Sequence, residues 1–245
     1  MLSKGINLNL KIGRSDFSKA IGFSIAGWTL SILLAKAMTA LIGPLVLLVC
    51  SIATIVFSIK GLNKIFSTSL FDAEGSFYMA LPLSEREIVM SKVLAGSIYM
   101  LLISLVALAA SLVMVLFFDV DVTDIGVEVL KEYLNADVPP MQIGILMGLL
   151  PLKMLLQQVF FCTFAFTVLL SFHLIKPDKL AVPAWLVIYG INFAITTGAE
   201  FLCKTLLKNG FNSLLLEGLT DGFYIVVIAG LFTYCVRALN SKFNM

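Results

Sequence analysis

Residues that could carry covalent or metal chemistry are sparse in this sequence and poorly spaced for it. The single histidine, His173, stands among apolar residues, whereas a zinc ion needs about four clustered N, S or O ligands. No H-E-x-x-H run occurs, and the nearest approach to the G-x-S-x-G turn of serine hydrolases, GFSIA at 22–26, lacks the second glycine. No G-x-x-x-x-G-K-[ST] loop is present to cradle the phosphates of ATP. Cys50, Cys162 and Cys235 lie in apolar segments, where cysteine behaves as a small hydrophobe. No disulfide framework is expected, and a Cys203–Cys203 bridge between two copies is the one pairing left open. What remains is binding chemistry. Trp185, Tyr189, Asn192 and Thr196 recur at steps of 4, 3 and 4, so on a helix they share one face. Ser51, Thr54 and Ser58 do the same. An aromatic, weakly polar wall suits an amphipathic ligand with no fixed charge; the competing reading is helix packing, where Ser, Thr and Asn are common. Lys153, Gln157 and Gln158 form a further polar cluster, suited to an anionic group or to hydrogen bonds within a bundle.

The elements that must position these residues follow from composition. The chain has 245 residues, 60% of them hydrophobic and 13% charged, against about 45–50% and 25% in soluble domains. We therefore expect an all-α membrane protein in a single transmembrane domain spanning 1–245. A span needs about 20 mostly apolar residues. Six segments qualify, near 17–38, 44–60, 88–118, within 143–175, 180–197 and 223–239. Residues 1–16 lack the apolar core of a signal peptide and read as an amphipathic helix on the inner leaflet. The fourth segment carries Pro151, where a bend is expected. Gly22 and Gly27 in the first read as packing positions. Residues 119–142 form an acidic outer loop. Residues 197–222 read as two short outer helices, divided at Asn209–Gly210 and apolar enough to re-enter the bilayer. No carboxylate falls at mid-depth of a span, so an acid-coupled carrier lacks its parts.

Orientation follows from the basic residues. With the N-terminus inside, the inner side holds Lys4, Lys11, Arg14, Lys19, Lys60, Lys64, Arg86, Lys92, Lys176, Lys179, Arg237 and Lys242; the outer side holds only Lys131, Lys204 and Lys208. Lys36 and Lys153 sit near the outer ends of spans and can snorkel. Both termini are then cytoplasmic. The formal net charge of +2 gives no reason to expect a nucleic-acid partner.

The stretch STSLFDAEGSFYMALPLSEREIVMSK, residues 67–92, is richer than a connector between spans needs to be. A helix is expected from Ser67 to about Leu81, within a region bounded at 67–83, with Asp72 and Glu74 where the helix dipole favours acids. Ser84 and Glu87 then match the S-x-x-E capping box that starts the third span, and Lys92 is expected about where that helix meets the headgroups.

This stretch resembles the segment between the second and third spans of type 2 ABC export permeases. The matching residues are Leu70, Phe71, Glu74, Gly75, Leu81, Pro82, Ser84, Ile88, Ser91 and Lys92. The overall layout is similar too: an amphipathic N-terminal helix, six spans, and re-entrant outer helices between the fifth and sixth. The resemblance implies that the short helix is a cytosolic coupling helix docking on a separate ATP-binding subunit, in two copies, which alone binds ATP and magnesium. Phe71, Glu74 and Tyr78, on one helix face, are the expected contact set. It implies further that the second and fifth spans of two protomers, a second copy or a paralogue, face the path. The closest likeness is to exporters of amphipathic or antimicrobial peptide toxins in bacterial plasma membranes. Drugs, lipids or sodium are alternative cargoes. A membrane scaffold or sensor that recruits a cytosolic partner without transport is the alternative of a different class. The acidic loop 119–142 is not a mark of that family.

Overall fold

The computed structural model describes residues 1–37, 42–68, 70, 83–117, 140–175, 181–209 and 213–243, and no strand occurs among them. Six long helices occur among the described residues: α1 (Leu2–Ala37), α2 (Ile42–Asn63), α3 (Glu85–Phe117), α4 (Pro140–Ile175), α5 (Ala181–Lys208) and α6 (Ser213–Phe243). A π-helical turn, Lys64–Thr68, continues α2. All six helices are long and apolar enough to cross a membrane, as expected of a multi-pass membrane protein.

Burial along the first helix departs from that of a water-soluble one. On α1 the inward positions are Gly5, Asn9, Gly13, Asp16, Phe17, Ala20, Ser24, Gly27 and Ser31, at steps of three and four. Phe23, Ile25, Leu30 and Leu33 face outward. Lipid tails are as apolar as leucine, so helices in lipid associate through close packing and hydrogen bonds rather than through hydrophobic exclusion. Small and weakly polar residues inside, with large aliphatics outside, are what that solvent selects.

The chain forms two compact units, residues 1–119 with 236–245, and residues 120–235. In the first, α1 packs along both α2 and α3. In the second, α4 packs on α5.

Several boundaries differ from expectation. The N-terminal segment is not divided from the first span: α1 runs unbroken through Phe17, because its inward stripe of small residues continues in phase across that point. The second helix does not end near Lys60 but carries on to Thr68 through the π-turn. Ser67, expected to open a new helix, lies inside that turn. The fourth helix continues through Pro151. The stop at Asn209 occurs where the Asn-Gly pair places it, but the flanking segments are the ends of α5 and α6 rather than two short helices. The sixth helix therefore begins at Ser213 instead of about 223. Most of the 67–83 region and of the 119–142 loop lies outside the described residues.

Candidate functional site

The densest polar arrangement lies where the N-terminal half of α1, the π-turn and the start of α3 converge. The capping box forms as the S-x-x-E spacing dictates: the Ser84 N–H donates to Glu87 Oε2 at 3.1 Å, and the Glu87 N–H donates to Ser84 Oγ at 3.4 Å. The amino terminus of Met1 stands 3.9 Å from Glu87 Oε1. One turn further along α3, Asn9 Nδ2 donates to Ser91 Oγ at 3.2 Å. Lys92 is fully buried and its Nζ donates to the Ile65 carbonyl at 2.5 Å. Lys64 Nζ pairs with Asp16 Oδ2 at 2.6 Å. Tyr99 donates its hydroxyl to the Leu10 carbonyl, and its ring stacks on Phe17 at 4.2 Å between centroids.

The fit around these bonds is tight. A Cβ on Gly13 would stand 2.9 Å from Ile65 Cδ1, and one on Gly61 would stand 2.6 Å from the Phe17 ring. The first half of α1 is thus held on one side by the end of α2 and on the other by α3.

Lys92 is enclosed by protein rather than exposed. It shares a face with Ile88, Ala95 and Gly96, all buried, so its stem follows that face inward. The signal was present as a lysine at apolar helical spacing. A π-turn widens the hydrogen-bond ladder to i→i+5 and is commonly found at functional sites; periodicity alone gives no sign of it.

The structure separates the residues of the second-span stripe. Thr54 and Ser58 are buried in the α1–α2 seam. The Thr54 hydroxyl bonds to the Cys50 carbonyl at 2.9 Å and to the Ala20 carbonyl of α1 at 3.4 Å, and the Ser58 hydroxyl bonds to the Thr54 carbonyl at 2.7 Å. Ser51 is exposed. Thr54 and Ser58 are thus turned toward α1 and Ser51 away from it. Gly27 serves the same seam, where an added Cβ would collide with Cys50 Cβ, whereas Gly22 has nothing within 4 Å among the described residues.

The fifth-span stripe divides along its length. Trp185 is buried, and its Nε1 has no hydrogen-bond partner. Its ring lies 6.2 Å from that of Tyr189, which lies 5.5 Å from Phe161 of α4. This end of the stripe faces α4. Asn192 and Thr196 are half-exposed, and the Thr196 hydroxyl bonds back to the Asn192 carbonyl at 3.0 Å. Lys153 pairs with Glu217 of α6, a partner hidden from sequence reasoning because it lies 64 residues away. Gln157 and Gln158 are half-buried on α4.

All four cysteines are free; Cys203 Sγ lies 3.5 Å from Thr220 Oγ1. No cluster of three or more His, Cys, Asp or Glu side chains suited to a metal occurs among the described residues. Phe71, Glu74 and Tyr78 lie outside the described residues. Comparison with family models, with curated proteins and with solved structures finds no match to this chain.

Proposed function

We propose that this chain is the membrane-spanning permease subunit of an ATP-driven exporter of the type 2 ABC class, in a bacterial plasma membrane with both termini cytoplasmic. The observation that carries the reading is the way the α2–α3 connection is held at both ends. It leaves through a π-turn tied to Asp16 and Lys92, and it returns through the Ser84–Glu87 capping box. Between them lies the segment with Phe71, Glu74 and Tyr78. A connection held in this way passes force from a docked partner into α1 and α3 instead of absorbing it.

In this reading the chain makes and breaks no bonds. Two copies of a separate subunit bind ATP and magnesium, and Phe71, Glu74 and Tyr78 dock on them. A second permease copy, or a paralogue, completes the path. Its wall takes Ser51, Tyr189, Asn192 and Thr196, with Trp185, Thr54 and Ser58 behind it as support. The cargo is an amphipathic peptide, which such a wall and the surrounding lipid both accommodate. Phe201, Leu202, Leu215 and Leu219, all more than half exposed, are too apolar for water. They support a return of the segments flanking Asn209 into the bilayer.

The test is purification of the tagged chain from cells that also express a phosphate-loop ATPase encoded beside it. Co-purification, with ATP hydrolysis raised by amphipathic peptides, is expected. A buried aromatic anchor is worth about 2 kcal/mol or more at an interface. Phe71→Ala with Tyr78→Ala should therefore strip the ATPase from the complex. Normal ATPase recovery and normal export in that double variant would refute the docking assignment. ATPase recovery without any export would favour the scaffold.

A further inference from the structure

Two lysines from different helices meet at one aromatic ring. Lys19 of α1 and Lys60 of α2 place their ammonium groups 5.7 and 5.4 Å from the centre of the Phe57 ring, within the reach of about 6 Å at which a ring quadrupole attracts a cation. Phe23 of α1 stacks on the same ring at 5.4 Å between centroids. Both lysines and Phe23 are exposed and Phe57 is half-buried, so the group stands on the outside of the α1–α2 pair.

Its charge is left uncompensated among the described residues. Asp16, three residues before Lys19, is taken by Lys64 at 2.6 Å. Glu87 stands by the amino terminus of Met1, which is about 27 Å from Lys19 along the axis of α1. No ion pair within 4 Å among the described residues involves Lys19 or Lys60. Two like charges gathered on one ring repel, and an anion between them replaces that repulsion with charge-assisted hydrogen bonds.

Depth identifies the anion. Up to Lys19 the exposed face of α1 carries Lys4, Lys11 and Arg14; beyond it the face carries Phe23, Ile25, Leu30 and Leu33. On α2, which runs the other way, exposed Leu48, Ile52 and Ile55 give way to exposed Lys60 and Lys64. No charged residue lies between Lys19 and Lys36 or between Lys36 and Lys60. Both helices therefore change from hydrocarbon-facing to charged at one level, and Phe23 and Phe57 mark it. Rings on the apolar side with ammonium groups one turn above match a lipid, whose phosphate lies above its acyl chains. A soluble phosphate has no use for the rings. A zwitterionic headgroup would bring a cation of its own against the lysines.

We infer that Lys19, Lys60, Phe23 and Phe57 form a headgroup site for an anionic glycerophospholipid. The two ammonium groups hold its phosphate and the two rings meet the first carbons of its acyl chains. The site follows from the membrane character of the chain and does not depend on the exporter reading.

The test uses the full chain, purified in a mild detergent and incubated with phosphatidylglycerol or phosphatidylcholine, with native mass spectrometry counting the lipid held per chain. Phosphatidylglycerol should be held and phosphatidylcholine largely lost. Lys19→Gln with Lys60→Gln should weaken phosphatidylglycerol binding about tenfold or more, as two juxtamembrane lysines allow. Lys19→Arg with Lys60→Arg should keep it. Lys4→Gln with Lys11→Gln removes the same charge from exposed positions of the same helix, about 12 Å or more from Lys19 and beyond the screening length of about 10 Å in 0.1 M salt. That pair should change binding by less than about twofold. Glycerol 1-phosphate at the concentration of the lipid should not displace it. Unchanged binding in the Lys19, Lys60 glutamine pair would overturn the site. Equal losses in the two glutamine pairs would overturn it too, since a diffuse positive field would then suffice. Equal retention of the two lipids, or displacement by glycerol 1-phosphate, would overturn the assignment to an anionic lipid.

Discussion

Along the α1–α2 seam the two backbones approach until a methyl group has no room. A Cβ on Gly27 or Gly61 would fall on Cys50 or on the Phe17 ring. The hydroxyls there, Thr54 and Ser58, turn back onto carbonyls instead of projecting. Along the α4–α5 seam the spacing is kept by rings: Phe161 against Tyr189 and Trp185 beside it, with Phe160 tilted at 4.9 Å on Tyr224 of α6. Gly190 of α5 meets nothing within 4 Å. At Gly27 the seam is a fixed joint, since the Cys50 Cβ cannot move aside without its backbone, whereas the ring that meets Gly61 can tilt. A seam spaced by rings has slack, since rings tilt and slide past one another with small changes in area. The contrast matches the proposed roles, α1 and α2 as the strut and α5 as the wall that must accommodate cargo.

The largest effect that sharpens this comparison belongs to the ring seam. Trp185→Ala removes a fully enclosed indole, and large-to-small changes of that size cost about 3–5 kcal/mol. Trp185→Phe keeps most of the ring and discards a buried N–H that has no hydrogen-bond partner. It should be close to neutral, because an unsatisfied buried donor itself costs about 1–3 kcal/mol. Melting of the purified protein in detergent measures both. A phenylalanine variant as damaged as the alanine one would mean that the indole N–H is engaged.

The glycine seam comes next. Gly27→Ala should cost about 1–3 kcal/mol as overpacking, although alanine is the better helix former. Gly22→Ala, one and a half turns earlier in open space, should cost nothing or stabilise slightly. Cys50→Gly should restore much of the loss in Gly27→Ala, because the collision is with the Cys50 Cβ; Cys50→Ala should not. Equal melting temperatures for Gly22→Ala and Gly27→Ala would remove the distinction between fixed and slack seams.

Much of this was legible in the sequence, and what was not has a common cause. The Ser84–Glu87 capping box and the stop at Asn209 depend on groups a few residues apart, so local chemistry decides them. The existence of six apolar helices follows from length and composition. Whether Gly22 or Gly27 meets a neighbour depends on which face α2 covers, and two glycines in one helix carry no mark of that. Thr54 and Ser58 have the same spacing whether they line a path or close a seam, and only the position of Ala20 on the opposing helix separates the cases. Lys92 was legible in principle, as a lysine in phase with Ile88, Ala95 and Gly96. Its enclosure was not, because that depends on which face of α3 the first helix covers.

The smallest effect tests whether charge adds a third kind of joint. Lys153 and Glu217 pair across α4 and α6, and Asp221 follows Glu217 by four residues on the same face of α6, within electrostatic reach of both. The two partners are therefore not equivalent. Glu217→Gln leaves Lys153 with a second carboxylate one turn away, while Lys153→Met leaves two carboxylates on one helix face with their cation gone. Both side chains are partly exposed, so the coupling between them in a double-mutant cycle should be no more than about 1 kcal/mol. The asymmetry is the sharper readout: Lys153→Met should lower the melting temperature more than Glu217→Gln, and adding Asp221→Asn should recover part of the difference. Equal losses for the two single variants, with no recovery from Asp221→Asn, would mean that Asp221 takes no part. The Lys153–Glu217 contact would then be a simple ion pair.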